Sequence, residues 1–230
     1  MPPPPKQRKV AIVGSRSVGT IPPPTPRSSP QTPPPPNYIF ASYHTSSPSL
    51  LIVRHVARNT GKSSLAVQFV DGHFVESYYP TIENTFSKTI RHKSQDFTTE
   101  IVDTAGQDEY SILNSKHFIG IHGYMLVYSV SSLPSFEMVQ VIREKILNHL
   151  GTDWVPIVIV GNKSDLRPEQ RQVSQEDGRK LSEKFNCAWT EASARYNENV
   201  GKAFELLIAQ IEDKSQNPNE SPAGGKCDIM

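Results

Sequence analysis

From Lys62 onward, apolar segments alternate with amphipathic ones, and this alternation restricts the fold more than any other feature of the chain. Residues 123–130 and 155–161 are almost entirely apolar, as is typical of strands buried on both faces of a sheet. Residues 135–150 carry apolar side chains at helical spacing. Strands that alternate with helices predict an α/β fold with a mostly parallel six-stranded sheet and helices on both faces.

The predicted elements follow a regular order along the chain. Strands are predicted at residues 8–14, 83–91, 97–103, 123–130, 155–161 and 187–190, and helices at 63–70, 135–150, 175–185 and 200–211.

Proline marks a segment that cannot belong to this sheet. Fourteen of the 20 prolines lie within residues 1–60, and residues 20–60 hold ten of them with no acidic residue. Such a composition predicts a disordered or polyproline segment. Because the strand at 8–14 precedes it, residues 20–60 are an insertion. We therefore predict a flexible N-terminus (1–7), one globular domain (8–213) interrupted by 20–60, and a flexible tail (214–230).

Charge and cysteine content exclude several classes of protein. The chain has 24 basic and 23 acidic residues, which gives no electrostatic reason to expect a nucleic-acid partner. No apolar stretch reaches the 18 residues of a membrane span, and two cysteines do not make a disulfide framework. We expect a monomer in a reducing compartment.

A phosphate-binding motif is split by the insertion. Residues 14–19 follow the first strand and residues 61–64 open the first helix, so that deleting 20–61 leaves Gly-Ser-Arg-Ser-Val-Gly-Lys-Ser. Backbone N–H groups of such a loop wrap phosphates, its lysine neutralises their charge, and its serine binds Mg²⁺. The candidate residues are Gly14, Arg16, Ser17, Val18, Gly19, Gly61, Lys62, Ser63 and Ser64.

Three further motifs follow predicted strands, where ligands bind in folds of this kind. In the first, Asp103 is placed to hold Mg²⁺ through water, the Gly106 N–H to meet a γ-phosphate, and Gln107 to orient the attacking water.

The other two motifs suit a guanine base. Asp165 can accept hydrogen bonds from guanine N1–H and its exocyclic amine, while Asn162 and Lys163 brace the loop and cover the ring. In the segment that contains Ser193 and Ala194, the Ala194 N–H can donate to guanine O6.

Taken together, the four motifs resemble those of small GTPases of the Ras superfamily. The resemblance covers residues 6–19 and 61–213 together with the C-terminus, and implies a G domain that binds GTP or GDP with Mg²⁺ and hydrolyses GTP. Arg16-Ser17-Val18, residues 79–86 and residues 103–112 are most similar to one subgroup, in which arginine replaces the usual glycine at position 16.

The resemblance implies further roles. Phe74 and Val75 contact the nucleotide, with Phe74 edge-on against guanine, and Tyr78 lies over the phosphates. Thr81 binds Mg²⁺ and senses the γ-phosphate, so that hydrolysis releases the switch. Lys62, Tyr78 and Gln107 are the implied catalytic residues.

Partners follow from the same resemblance. Residues 79–87 form the effector surface, and the subgroup implies the TOR kinase complex as effector, with a GTPase-activating protein (GAP) and an exchange factor as regulators. Arg16 would crowd the entry of an arginine finger, which implies slow turnover and a GAP that works differently. Tyr79 and Arg195 depart from the pattern, which has Asp and Lys there.

The last four residues, Cys227-Asp228-Ile229-Met230, match a farnesylation motif at Cys227. They imply farnesyltransferase as a partner. One prenyl chain without a polybasic run anchors only reversibly. We therefore expect residence on the cytoplasmic face of endomembranes, in exchange with the cytosol.

The insertion leaves two functions open. One is a guanine-nucleotide switch, and the other is a nucleotide-free pseudo-GTPase that acts only as a binding module. Codons for Gly19-Thr20 and Thr60-Gly61 can contain GT and AG, so the segment fits a retained intron and the chain a mis-spliced product. Because a phosphate loop needs converging N–H groups, we expect GDP binding by the form lacking 20–61 and weak or no binding by the full chain.

Overall fold

A six-stranded sheet forms the centre of the computed structural model, which describes residues 4–17, 58–76, 81, 83–106 and 120–216. The strands are β1 (Lys6–Gly14), β4 (Glu83–His92), β5 (Gln95–Thr104), β6 (Gly123–Ser129), β7 (Ile157–Asn162) and β8 (Ala188–Ala192). Two short strands, β2 (Arg16–Ser17) and β3 (Arg58–Asn59), pair separately. The helices are α1 (Lys62–Asp71), α2 (Leu133–Leu150), α3 (Gln175–Phe185) and α4 (Val200–Gln216).

The strand order β4-β5-β1-β6-β7-β8 places β1 inside the sheet. All neighbours are parallel except β4, which pairs with β5 as an antiparallel hairpin. Strands β6 and β7 are buried along their whole length, because helices cover both faces. The predicted mostly parallel six-stranded sheet is thus confirmed.

Two hydrophobic clusters, one on each face of the sheet, hold the helices. One joins Leu65 of α1 and Phe204 of α4 to inward residues of β1 such as Ile12. The other joins Ile142 of α2 and Phe185 of α3 to the opposite face. The alternation of side chains along β1 explains this division, since successive residues of a strand point to opposite faces.

The helix ends are specified locally. The Ser174 hydroxyl accepts a hydrogen bond from the Asp177 N–H, and the Asp177 carboxylate accepts one from the Ser174 N–H, which makes a capping box that starts α3. Helix α3 ends at Asn186, whose φ of 48° lies in the left-handed region. None of the described helices is long and apolar enough to cross a bilayer.

Some predicted boundaries need correction. Helix α4 extends through Gln216 and so enters the predicted tail, because its inward face keeps packing on the sheet as far as Ile211 and Glu212. At the other end of the insertion, Arg58–Asn59 form β3 and Thr60 is fully buried, so the predicted disorder does not hold for these residues. Residues 20–57 lie outside the described part.

A buried carboxylate ties α4 to the first strand. Glu212 accepts hydrogen bonds from Lys6 Nζ at 3.0 Å and Arg8 Nη2 at 2.6 Å. Burial acts to raise the pKa of Glu212, but the hydrogen bonds and charges of Lys6 and Arg8 outweigh it and hold the pKa below its usual value. The contacts of Glu212 with Lys6 and Arg8 therefore favour the folded state whenever Glu212 is ionised.

Replacing this carboxylate tests its contribution to stability. Glu212→Gln should lower the free energy of unfolding by about 1 to 3 kcal/mol at pH 7. Because the folded-state pKa is depressed, the contribution is complete above the unfolded-state value of about 4.3 and is lost as pH falls through the folded-state value. Urea titrations at pH 7 and at the lowest pH that keeps the chain folded measure the difference.

The matched control is Glu100→Gln, which removes a more exposed ion pair with Lys9. Its effect should stay below about 1 kcal/mol at pH 7, as for surface pairs. Equal effects of the two substitutions would contradict a special role for Glu212.

Candidate functional site

The two halves of the split phosphate motif meet in space. Gly14 ends β1 and Lys62 begins α1, and the Lys62 Nζ donates a hydrogen bond to the Gly14 carbonyl at 3.3 Å. Lys62 is only 4% exposed. A Cβ atom at Gly14 would collide with the Val127 carbonyl oxygen, so the close approach of β1 and β6 requires glycine here.

The ends of the insertion are held together by backbone pairing. Strands β2 and β3 are antiparallel, with Arg16 opposite Asn59 and Ser17 opposite Arg58. This two-residue ladder closes the long excursion at its base. Gly14 and Lys62, which the insertion separates in the sequence, are in contact.

Gly61 precedes α1 in a conformation that few other residues adopt. Its φ is 82°, and a Cβ atom there would collide with the Asn162 side-chain amide. No side chain caps the N-terminus of α1. The first N–H groups of the helix and its positive dipole end therefore suit an anion.

An unpartnered carboxylate lies beside this helix start. Asp103 is fully buried, and neither of its oxygens has a hydrogen-bond partner among the residues that the structure describes. Burial raises the pKa of Asp103, while the nearby Ser63 hydroxyl and Lys62 ammonium act to lower it. The Ser63 hydroxyl lies 2.8 Å from the Thr81 hydroxyl.

These oxygens fit a hard cation. Mg²⁺ prefers oxygen ligands and is commonly held by one or two protein side chains together with substrate phosphates. Ser63, Thr81 and Asp103, the predicted metal residues, are brought together, and a buried carboxylate without a partner is the group that a cation would compensate.

Asn162 braces three segments at the end of β7. Its Nδ2 donates to the Thr60 carbonyl at 2.9 Å, and its Oδ1 accepts from the Ala194 N–H at 3.2 Å. One buried side chain thus connects the phosphate motif to the loop after β8. This agrees with the predicted bracing role of Asn162.

The predicted base-reading residues are also adjacent. The Ser193 hydroxyl donates to Asp165 Oδ1 at 2.6 Å and accepts from the Tyr196 N–H at 3.2 Å. Lys163, between Asn162 and Asp165, has a φ of 68°, which turns the chain sharply after β7. The Ser193 hydrogen bond thus orients the exposed Asp165 carboxylate through one of its oxygens.

Two exposed apolar residues follow α1. Phe74 is 36% exposed and Val75 is 45% exposed. The next residue, Glu76, pairs with Arg195 Nη2 at 3.3 Å. This ion pair connects the segment that contains Phe74 with the loop that contains Ala194, on which the predicted base contacts depend.

The structure leaves some predictions untested. Gly106 and Ser64 are described and half-buried, Ser64 within the first turn of α1. The following predicted residues lie outside the described part: Val18, Gly19, Tyr78, Gln107 and Cys227. Sequence reasoning missed Thr60 and Glu76, because one was assigned to the insertion and the other belongs to no motif.

The buried Thr60 hydroxyl has no hydrogen-bond partner in the described part of the chain, which lowers stability. Thr60→Val removes an unsatisfied oxygen at nearly constant shape, so it should raise the free energy of unfolding by about 1 to 3 kcal/mol. The control is Thr104→Val, because the Thr104 hydroxyl donates to the Ile12 carbonyl at 2.9 Å. That variant should be destabilised in the same denaturation assay, and stabilisation of both would refute the reasoning.

Comparison with known proteins identifies the family. The Ras family profile matches residues 52–213, so the match begins within the last part of the insertion and continues to the end of the domain. The chain is 59% identical over 230 residues to the small monomeric GTPase RhbA of Aspergillus fumigatus, with both chains covered completely.

Two other relatives extend the comparison. The GTP-binding protein rhb1 of Schizosaccharomyces pombe is 66% identical over 173 residues. The human GTP-binding protein Rheb is 46% identical over 173 residues. In both cases 75% of this chain and 92% of the relative are covered. These proteins represent the subgroup to which the Arg16 segment pointed, and the chain belongs to the Ras family of small GTPases.

Proposed function

We propose that the chain is a guanine-nucleotide switch of the Rheb type, which hydrolyses GTP to GDP and signals to an effector in its GTP form. The observation that supports this best is the clustering at one sheet edge of Lys62, Asp103 and the pair Asp165–Ser193. Lys62 suits the phosphates, Asp103 suits their cation, and the pair Asp165–Ser193 suits the base. A nucleotide is the ligand that has both parts.

Base selection depends on an oriented acceptor. Asp165 accepts hydrogen bonds from guanine N1–H and the exocyclic amine, neither of which adenine offers at these positions. The Ser193 hydroxyl holds this carboxylate. The Ala194 N–H donates a hydrogen bond to Asn162 Oδ1. This contact limits how the same N–H can donate to guanine O6.

The phosphates are held at the start of α1. The Lys62 ammonium and the helix N–H groups neutralise and orient the phosphate oxygens. Ser63, Thr81 and Asp103 would hold Mg²⁺, which neutralises charge that develops on the phosphates. Gln107 positions the attacking water, and loss of the γ-phosphate releases Thr81, so that the effector surface changes between the two states.

The finer proposal concerns the effector. We assign residues 79–87 as the effector surface and a TOR kinase complex as the partner, with a GAP and an exchange factor as regulators. The relatives named Rheb support a GTP-binding switch of this subgroup, and the effector assignment extends the resemblance of residues 79–86 to that subgroup. Purified TOR complex should phosphorylate its substrate faster with the GTP-loaded chain than with the GDP-loaded chain, and equal rates would refute the effector.

Membrane attachment is a separate proposal. Farnesyltransferase modifies Cys227, and the single lipid anchors the chain reversibly to the cytoplasmic face of endomembranes. Mass spectrometry of the chain incubated with the transferase and farnesyl diphosphate tests the modification. An unmodified chain, or a Cys227→Ser variant that fractionates with membranes equally well, would refute it.

Base recognition can be tested by exchanging one oxygen for an amide. Asp165→Asn should weaken GDP binding about 10- to 100-fold, since it loses a charge-assisted acceptor. The amide should at the same time improve binding of xanthosine diphosphate, whose base carries an oxygen in place of the amine. Competition against a fluorescent GDP analogue measures both effects.

The control for base recognition is Asp153→Asn, at an exposed position in the loop before β7. It should bind both nucleotides as the unmodified chain does. If Asp165→Asn weakened both diphosphates equally, the residue would not read the base.

Asp103 should show a trade-off between stability and cation binding. In nucleotide-free protein prepared with a chelator, Asp103→Asn should raise the free energy of unfolding by about 1 to 3 kcal/mol, because it removes an unpartnered buried carboxylate. The same variant should release GDP at a rate that no longer depends on Mg²⁺.

Asp96→Asn, at an exposed position of β5, is the control and should change neither property. Slow, Mg²⁺-dependent release by Asp103→Asn would contradict the assignment of Asp103 to the cation.

A further inference from the structure

We propose that residues 58–61, at the distal end of the insertion, complete the phosphate-binding loop of this chain in place of residues 16–19. We call residues 58–61 the distal arm and residues 16–17 the proximal arm. The inference rests on the proposed function, since it assigns residues to the same nucleotide site. It also reverses the expectation that the full chain binds nucleotide weakly.

The distal arm is continuous with α1, the helix whose start suits an anion. The distal arm leads directly into α1, and Gly61 occupies the left-handed conformation immediately before Lys62. A phosphate loop works because its N–H groups converge with those of the following helix turn. Among the described residues, the distal arm is the segment that has this position.

Burial and side-chain contacts fix the distal arm in place. Thr60 is completely buried, and its carbonyl accepts the Asn162 amide at 2.9 Å. A Cβ atom at Gly14 would lie 3.4 Å from the Thr60 hydroxyl and 3.3 Å from Lys62 Cδ, so both side chains pack against the end of β1. The arm is therefore built into the domain.

Three buried oxygens without a hydrogen-bond partner among the described residues point to a ligand at this place. They are the Thr60 hydroxyl and the Asp103 carboxylate, both fully buried in the described part of the chain. The Asp103 carboxylate lies near Lys62 and Ser63 at the start of α1. The helix start and the buried lysine suit a phosphate, and the buried carboxylate suits the cation that accompanies it.

The sequence contains a second version of the motif. If Gly14-Ser15 continues with Arg58-Asn59-Thr60-Gly61-Lys62-Ser63, the result again has two glycines separated by four residues and followed by Lys-Ser. The proximal arm and residues 18–19 supply Arg-Ser-Val-Gly, and the distal arm supplies Arg-Asn-Thr-Gly. Each arm can thus fill the same positions.

The pairing of the arms decides between them. Arg16 and Ser17 form a ladder with Asn59 and Arg58, so the proximal arm lies beside the distal arm as its antiparallel partner. A proximal arm in this position supports the loop from the side, while the distal arm continues into α1. The nucleotide site of the full chain is therefore assembled from residues 14–15 and 58–63.

Matched glycine substitutions in the full chain test this assignment. Gly61→Ala should accelerate release of a fluorescent GDP analogue by about tenfold or more, because an alanine there has a strained φ and collides with Asn162. Gly19→Ala should leave the release rate unchanged. Fast release by Gly19→Ala with normal release by Gly61→Ala would overturn the proposal.

Far-UV circular dichroism shows whether Gly61→Ala remains folded. A second variant tests the proposal independently of that result. Residues 18–57 are replaced by Asn-Gly, so that the two arms become a hairpin with a two-residue turn. This variant should bind GDP as the full chain does. If the full chain binds and the hairpin does not, the arms do not build the site and the proposal is wrong.

Nucleotide-binding controls separate this proposal from the proposed function. The form lacking 20–61 keeps Arg16–Gly19 in the loop and reports on the rest of the site. If it binds GDP while the full chain does not, the distal arm fails as a loop but the G domain stands. If none of the forms binds GDP, the proposed function itself is refuted together with the inference.

Discussion

The hydrogen bonds of the Asn162 side-chain amide are the interaction on which the carboxyl ends of the strands, where the candidate site lies, depend for their arrangement. The two ends of the amide bind the Thr60 carbonyl and the Ala194 N–H, which belong to segments more than 130 residues apart in the chain. Because the amide is buried, loss of either partner would leave a polar group without compensation. One residue thus links the proposed phosphate site to the proposed base site, and it holds the loops on both sides in position.

The sheet makes this link possible by bringing strand ends to one edge. Gly14, Thr104 and Asn162 end three strands of the same parallel array, so short loops are enough to gather the functional groups. The hydrophobic clusters on both faces and the Glu212 anchor hold the scaffold. Within the described part of the chain, the Asp103 carboxylate and the Thr60 hydroxyl have no hydrogen-bond partner on this scaffold, which costs stability.

The insertion shows how a fold accommodates a long interruption. Loop closure entropy grows only slowly with length, so about 40 extra residues are tolerable where the two ends already lie together. Here the ends pair as β2 and β3. The physical requirement at a phosphate loop is local convergence of backbone groups, and this can be met by residues that are distant in sequence.

Much of the fold was predictable from the sequence alone. Strands such as β6 and β7 were recognisable because burial on both faces demands continuous apolar runs, and the start and end of α3 matched the prediction because Ser174 and Asn186 act locally. The motifs also singled out Lys62 at the start of α1 and Asp103 near the end of β5, which the structure brings close together, while their roles toward a nucleotide stay predictions.

Tertiary structure alone decided which residues meet across the chain. The burial of Thr60, the Glu76–Arg195 ion pair and the pairing of the two arms join segments whose separation no local pattern encodes. Composition marked residues 20–60 as one segment, yet its last residues are part of the domain. The reason is that a backbone group is placed by its hydrogen-bond partners in space, and for Thr60 that partner is Asn162 at the end of a strand about 100 residues later.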